Sequence, residues 1–449
     1  MFNKTVLILV LLAVECSRSM LSTALGLPSL EIQKTLSHAF YNDNSMIMTR
    51  VEILSNAITF LISVPLVLLN AKQKVLTYKT RLMLLPALGS ILNLTSLIYL
   101  SNNIKTVTPL LTYTLLILPA LTGESFLFET CISDIAAGIE ADKQQRVTLF
   151  LWVKGSKIFG FCFVQILLPL VGVTEHFMLQ CVAPSSCALI VVFSFLLVFI
   201  ESRCDDDDDG NDDERGKSSE SVRLRLTNIE ATTNAKNETR IDETTTTTAP
   251  ASALLLLLRN FSIYHVLLCL VVTLHSAQRG EYKFTYFFLS KHLMFDAVHL
   301  RIINGCQYLL FSISLYVMGF IVRLSKHSNI TLTAFVVSML FSTCARVCQI
   351  VAWELTRFDV WILSAMLSMP GPLAYQVAQQ VMYKRLGDER LAGIVLLTAD
   401  KFVSIPFTQL YQIASSDWTI SPFYVTLGLM ISCTFFGLST KTMRSWIRG

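Results

Sequence analysis

Apolar runs of about twenty residues recur twelve times along this chain of 449 residues. A helix of that length, rising about 1.5 Å per residue, just crosses a hydrocarbon layer about 30 Å thick. The runs lie at Thr5–Pro28, Met46–Leu69, Leu82–Leu100, Thr108–Asp134, Val147–Val171 and Phe177–Ile200, then at Asn260–Ala277, Leu300–Ile321, Ile330–Trp353, Val360–Tyr383, Leu391–Ala414 and Ile420–Ser439. Six runs, a polar interval and six more runs predict an all-α integral membrane protein: twelve transmembrane helices in two six-helix halves. The halves are residues 1–200 and 254–449, joined by 201–253.

Composition agrees. Only 15% of residues are charged, against about a quarter in soluble domains. Those charges are bunched between the runs, and mean hydropathy is +0.56. No basic run is interleaved with aromatics, which excludes a nucleic-acid partner. The sequence contains no GxSxG, HExxH or Walker loop, and no segment outside the runs is large enough for a catalytic domain, so the chain is not expected to be an enzyme. None of the eleven cysteines forms a CxxC pair, so neither a metal site nor a bound cofactor is expected. Cys344 and Cys348 share a helix face, which reads as packing.

The interval Glu201–Ala253 holds Asp205–Asp209, Asp212, Asp213, Glu214 and the run Thr244–Thr248. It has too little apolar surface to offset its ordering entropy and is expected to be a disordered linker. The aspartates lack the spacing and central glycine of a calcium loop, so they read as a solvated charge run. With both termini on the cytoplasmic side, short inside segments carry fifteen Lys and Arg against eight outside, the bias expected of a membrane protein. The N-terminus, Lys4 followed by Val6–Val14, has the look of a signal peptide. Glu15-Cys16-Ser17-Arg18 is a poor cleavage site, and apolar character resumes at Met20, so a retained first helix is expected.

Charges inside a bilayer are costly and usually face a cavity or a partner. Glu15 and Arg18 lie three apart on run 1, Glu124 and Glu129 on run 4, and Lys154 and Lys157 on run 5. His265 and His275 lie on run 7, Arg346 on run 9, and Asp400 with Lys401 on run 11. These are the candidate solute-binding and proton-coupling residues. Each has a plainer reading: snorkelling or local pairing for Arg346 and Lys401, a structural pair for Glu15–Arg18, a packed imidazole for each histidine. Counting inward from Asp134 and Val147 puts Glu124 and Lys157 at one depth on consecutive antiparallel helices, which predicts that they pair. Helix breakers occur at Pro65, at Pro119 and Gly123, at Gly155 and Gly160, and at Pro370-Gly371-Pro372. In transporters such breaks mark mobile or solute-facing helices; elsewhere they are ordinary kinks.

The six-plus-six plan with a polar central loop resembles the major facilitator superfamily. More narrowly, it is similar to the solute-carrier family that contains the proton-coupled folate transporter. Within Gly123–Arg146, Ile132-Ser133-Asp134-Ile135 and Lys143-Gln144-Gln145-Arg146 look like that family's helix 4 exit and following loop. Asp388–Asp400 resembles its loop into helix 11. In the loop between helices 2 and 3, Asn70–Arg81 keeps basic character (Lys72, Lys74, Lys79, Arg81) but lacks the superfamily's Asp and Gly. Arg390 stands where relatives usually have Gly.

The resemblance implies a secondary active transporter of a small organic solute in a plasma or lysosomal membrane, driven by a proton gradient. Helices 1, 4, 7 and 10 would line its cavity. Arg18 and Lys157 would attract an anionic solute; Glu15, Glu124, His265, His275 and Asp400 would be proton sites, the histidines titrating nearest neutral pH. The weakened loop between helices 2 and 3 and the acidic linker fit a second expectation, a transporter-like receptor or scaffold that no longer transports.

Overall fold

The computed structural model describes residues 2–41, 46–70, 82–139, 143–170, 172, 177–209, 289, 293–295, 297–324, 330–371, 373 and 423–439. The expected runs at Asn260–Ala277 and Leu391–Ala414, and with them His265, His275, Asp400 and Lys401, lie outside the described residues, as do Pro372 and the linker beyond Asp209.

Within the N-terminal half, α1 spans Phe2–Tyr41, α2 Met46–Asn70, α3 Leu84–Asn102, α4 Pro109–Ile117, α5 Glu124–Ile139, α6 Lys143–Leu170 and α7 Ala183–Asp209. In the C-terminal half, α8 spans Ala297–Leu324, α9 Ile330–Leu355, α10 Phe358–Leu367 and α11 Phe423–Ser439. Six spans among the described residues are long and apolar enough to cross a membrane: Lys4–Tyr41, Leu84–Asn102, Pro109–Ser133, Gln145–Ile166, Met178–Ile200 and Val298–Leu324. Large apolar side chains such as Leu61, Phe195 and Phe435 face outward, as a helix surrounded by hydrocarbon allows.

Two helices overrun their apolar runs. α1 continues past Pro28 to Tyr41 because Ile32 and Leu36, one turn apart, keep a buried face on an otherwise polar stretch. α7 continues past Ile200 through Asp209, into the first residues of the expected linker. The part of α1 that resembled a signal peptide packs into the core through Val10, Leu11 and Val14. Cys344 is exposed and Cys348 half-buried, so that pair lies toward the outside of α9 and not in the packed core.

The fourth span is broken. Thr108 caps α4 by accepting the Leu111 amide, with Pro109 in the first helical position. α4 then tightens into a 3-10 turn, Leu118–Thr122, that ends at Gly123 with φ +75°. Only glycine adopts that conformation without strain, and a Cβ at 123 would also fall 2.6 Å from Ser63 Oγ. α5 restarts at Glu124 with its rotational phase set by this turn.

α1 and α6 lie side by side in the N-terminal half, and α6 packs along α8 of the other half. α6 and α8 run antiparallel: Thr148 donates to the Gly319 carbonyl (3.3 Å), Ser312 to the Gly155 carbonyl (2.9 Å), and the Phe161 and Tyr308 rings stack at 4.4 Å. A separate C-terminal core gathers Leu300, Trp353, Trp361 and Phe423.

Candidate functional site

Five of the charged candidates meet in one cluster. On α1, Arg18 grips Glu15 with two hydrogen bonds, Nε to Oε2 at 2.9 Å and Nη2 to Oε1 at 2.7 Å. The same Nη2 reaches Glu129 Oε1 of α5 at 3.2 Å. From α6, Lys157 hydrogen-bonds that oxygen, and Lys154 approaches Glu129 Oε2 at 3.9 Å. The Arg18 guanidinium lies over the Phe128 ring, 5.1 Å from its centroid, a cation–π contact that fixes its plane.

Sequence periodicity explains the assembly. Glu15 and Arg18, like Lys154 and Lys157, are three residues apart and so project from one helix face. Gly160 lets α1 and α6 approach closely, since a Cβ there would sit 2.3 Å from the Cys16 carbonyl oxygen. That contact lies one turn from Lys157 and beside Glu15, and it brings the two charged faces together.

Glu129 is the hub: one carboxylate serves three cations from two helices. Three cations against two carboxylates leave the described cluster cationic overall. Side-chain exposure rises from 2% at Glu15 to 18% at Glu129 and 32% at Lys157, so the cluster opens at its lysine end. Charge-assisted bonds of this kind hold buried ions in place, and an incoming carboxylate is chemically equivalent to the one the lysines already hold.

The expected Glu124–Lys157 pair lies in part outside the described residues. Lys157 is bonded to Glu129; the backbone of Glu124 opens α5, and its side chain lies outside the described set. Arg346 on α9 donates to Gln349 Oε1 at 2.6 Å, one turn along its own helix. Among the described residues, no group of three His, Cys, Asp or Glu is placed to hold a metal ion.

The second break lies at the end of α10. After Leu367, residues Ser368–Pro370 form a turn, followed by helical backbone at Gly371 and Leu373. Ser314 of α8 donates to the Met369 carbonyl at 3.0 Å, and Ser338 of α9 donates to the Pro370 carbonyl. These serines, which sequence reasoning passed over, hold the carbonyls of the break from two neighbouring helices. A serine in an apolar run carries no mark of its partner. The same holds for the bond of 2.6 Å between Ser156 on α6 and Tyr316 on α8.

No family model matches the sequence, and no curated protein matches it. Solved structures do resemble the fold. A bacterial homologue of the iron transporter ferroportin, in an outward-facing state, superposes with a TM-score of 0.67 at 12% identity over 100% of both chains. The human organic anion transporter MFSD10 (TETRAN) gives 0.58 at 12% identity, covering 97% of this chain and 98% of its own. The E. coli fucose:proton symporter FucP gives 0.57 at 10% identity with the same coverage. All three are transporters and not enzymes. This chain is a multi-pass membrane protein with the major facilitator fold, the type built of twelve transmembrane helices in two six-helix halves.

Proposed function

We propose that the chain is a secondary active transporter that carries a small organic anion across its membrane, coupled to protons. The observation that carries this reading is the Glu15–Arg18–Glu129–Lys154–Lys157 cluster. An interior charge cluster is costly to maintain in a membrane protein, and a cationic one open at its lysine end suits an anion. The solute's carboxylate competes with Glu129 for Lys157 and Lys154. A proton on Glu129 weakens the same bonds, so solute and proton act on one hub. The likeness of Asp388–Asp400 to the solute-carrier family of the proton-coupled folate transporter supports the same class of solute. So do two fold neighbours, an organic anion transporter and a proton symporter. The excess of Lys and Arg in the short inside segments supports cytoplasmic termini, and the family resemblance supports a plasma or lysosomal membrane.

The test compares organic anions accumulated by cells expressing the wild type or Lys157→Met at matched surface levels, at pH 5.5 and 7.5. At least one anion should accumulate with the wild type, more at the lower pH, and not with the variant. Identical anion profiles in both cell lines at both pH values would overturn the reading.

A further inference from the structure

One turn of α6 is bonded on both sides. Lys154 and Lys157 reach Glu129, within the charge cluster. The two residues between them are held by α8: the Gly155 carbonyl accepts from Ser312 at 2.9 Å, and the Ser156 hydroxyl shares a hydrogen bond with the Tyr316 hydroxyl at 2.6 Å. At about 100° per residue, positions 154 and 157 straddle one side of the helix and 155 and 156 the opposite side. Ser312 and Tyr316 are four apart and share the face of α8 turned to α6. The Tyr316 ring packs where a side chain on residue 155 would be, since a Cβ there would lie 3.1 Å from it.

We propose that Tyr316 and Ser312 are positioning residues through which the C-terminal half senses the state of the charge cluster, with Lys154–Lys157 as the shared turn. This rests on the reading that Glu129 releases its lysines during the cycle. While Glu129 holds Lys154 and Lys157, the turn is tied to α1 and α5 and moves with the N-terminal half. Once they are released, its remaining polar ties run to α8, and it follows the C-terminal half. A single turn with two alternative sets of anchors is the kind of discrete element that transmits coupling between packed bodies. Tyr316 acts on the turn through Ser156 and the backbone at Gly155.

The experiment needs no solute. Spin labels at Leu110 and Val298, exposed positions at the starts of α4 and α8, report the separation of the two halves. Label-reactive native cysteines are replaced by serine. Glu129→Gln mimics the released hub. It should change the ratio of separation populations by about two- to tenfold, the range set by one hydrogen bond. In the Ser312→Ala/Tyr316→Phe background, which keeps the ring on Gly155, Glu129→Gln should change nothing. Ser156→Ala removes the tyrosine bond from the α6 side and replaces Tyr316→Phe if that variant fails to fold. An equal shift with the seam bonds removed overturns the proposal, and so does no shift in either background. A chain that shows the coupled shift but accumulates no organic anion fails the transport reading alone. One that accumulates an anion without the shift fails the coupling alone.

Discussion

The main-chain carbonyl of Cys16 occupies the space where a side chain on Gly160 would begin, 2.3 Å from a Cβ built there. α1 and α6 therefore touch backbone to side-chain position beside the charge cluster. Gly160→Ala must push the two helices apart, because a carbonyl in a helix cannot rotate away. The expected cost is about 1–3 kcal/mol, the range for overpacking a close contact. Gly26→Ala, on α1 and with no neighbouring atom within 4 Å of the new carbon, should leave stability unchanged or raise it by up to about 1 kcal/mol. Thermal unfolding of the purified variants in detergent checks this. Equal melting temperatures for Gly160→Ala and wild type would show that the contact is not tight.

Glu129 and Lys157 differ in how many partners each would strand. Glu129→Gln leaves Arg18, Lys154 and Lys157 facing one another without their shared carboxylate, at an expected cost of about 3 kcal/mol. Lys157→Met leaves Glu129 still served by Arg18 and Lys154. With its side chain 32% exposed, Lys157 should cost about 1 kcal/mol or less. The double variant should recover part of the Glu129→Gln loss, because one of three crowded cations is gone. Surface expression and melting temperature rank the three. A Lys157→Met variant less stable than Glu129→Gln would remove Glu129 from the role of hub.

Hydropathy made the helices legible because each described span has to present about twenty apolar residues to lipid. It failed where a helix leaves the apolar layer. The buried pair Ile32 and Leu36 on α1 is diluted by Glu31, Gln33 and His38, and Glu201–Asp209 carries no apolar signal at all. The charges of the site were legible one by one, since each stands out against an apolar run. Of their pairings, Glu15–Arg18 could be read from its spacing of three, and the bonds to Glu129 could not. Counting inward from Asp134 ranks residues by depth along α5 and says nothing of their direction around it. Glu124 and Glu129 are five residues apart, about 140° around a helix, so depth alone did not single out Glu129 as the partner of both lysines. The α6–α8 seam was barely marked in the sequence: Gly155 stood out only as a helix breaker, and Gly305, Gly319 and Ser312 are unremarkable until their neighbours are known.

Arg357 and Asp359, at the exposed start of α10, form the other described ion pair. The Arg357 hydrogen bond holds the Asp359 carboxyl below its usual value. The sign follows: a carboxylate with a lowered folded pKa contributes stability above its unfolded pKa, near 3.9 or so. That contribution is lost only as pH falls through the still lower folded value. Between pH 7.5 and 5 the pair stays intact. Asp359→Asn should therefore shift the melting temperature by the same small amount at both pH values. A difference between wild type and variant that closes between pH 7.5 and 5 would contradict the assignment.

The break after α10 is held from both sides, and its bonds can be tested locally. Pro370 has no N–H, so the Met366 carbonyl cannot take the usual bond four residues on; it accepts instead from Met369 at 3.2 Å. Pro372 likewise has none, and the Ser368 carbonyl accepts from Gly371 at 2.9 Å. The chain tightens to three-residue bonds, and the carbonyls of Met369 and Pro370 turn toward Ser314 and Ser338. Ser338→Ala takes a donor from the Pro370 carbonyl and from the longer contact to the Gly371 carbonyl at 3.4 Å. The expected loss is about 1 kcal/mol, the middle of the range for a polar bond in a membrane protein. Ser314→Ala should cost a similar amount. The double variant should depart from the sum, because the two acceptors are adjacent residues of one turn. Ser185→Ala serves as a control, its exposed hydroxyl bonding only the Cys181 carbonyl on its own strand of helix at 2.7 Å. Amide hydrogen exchange reads the outcome where it matters: protection at Met369, Gly371 and Leu373 should fall in Ser338→Ala and stay at the wild-type level in Ser185→Ala. Unchanged protection at those three amides would mean that the turn holds itself, and that the serines of α8 and α9 merely fill space around it.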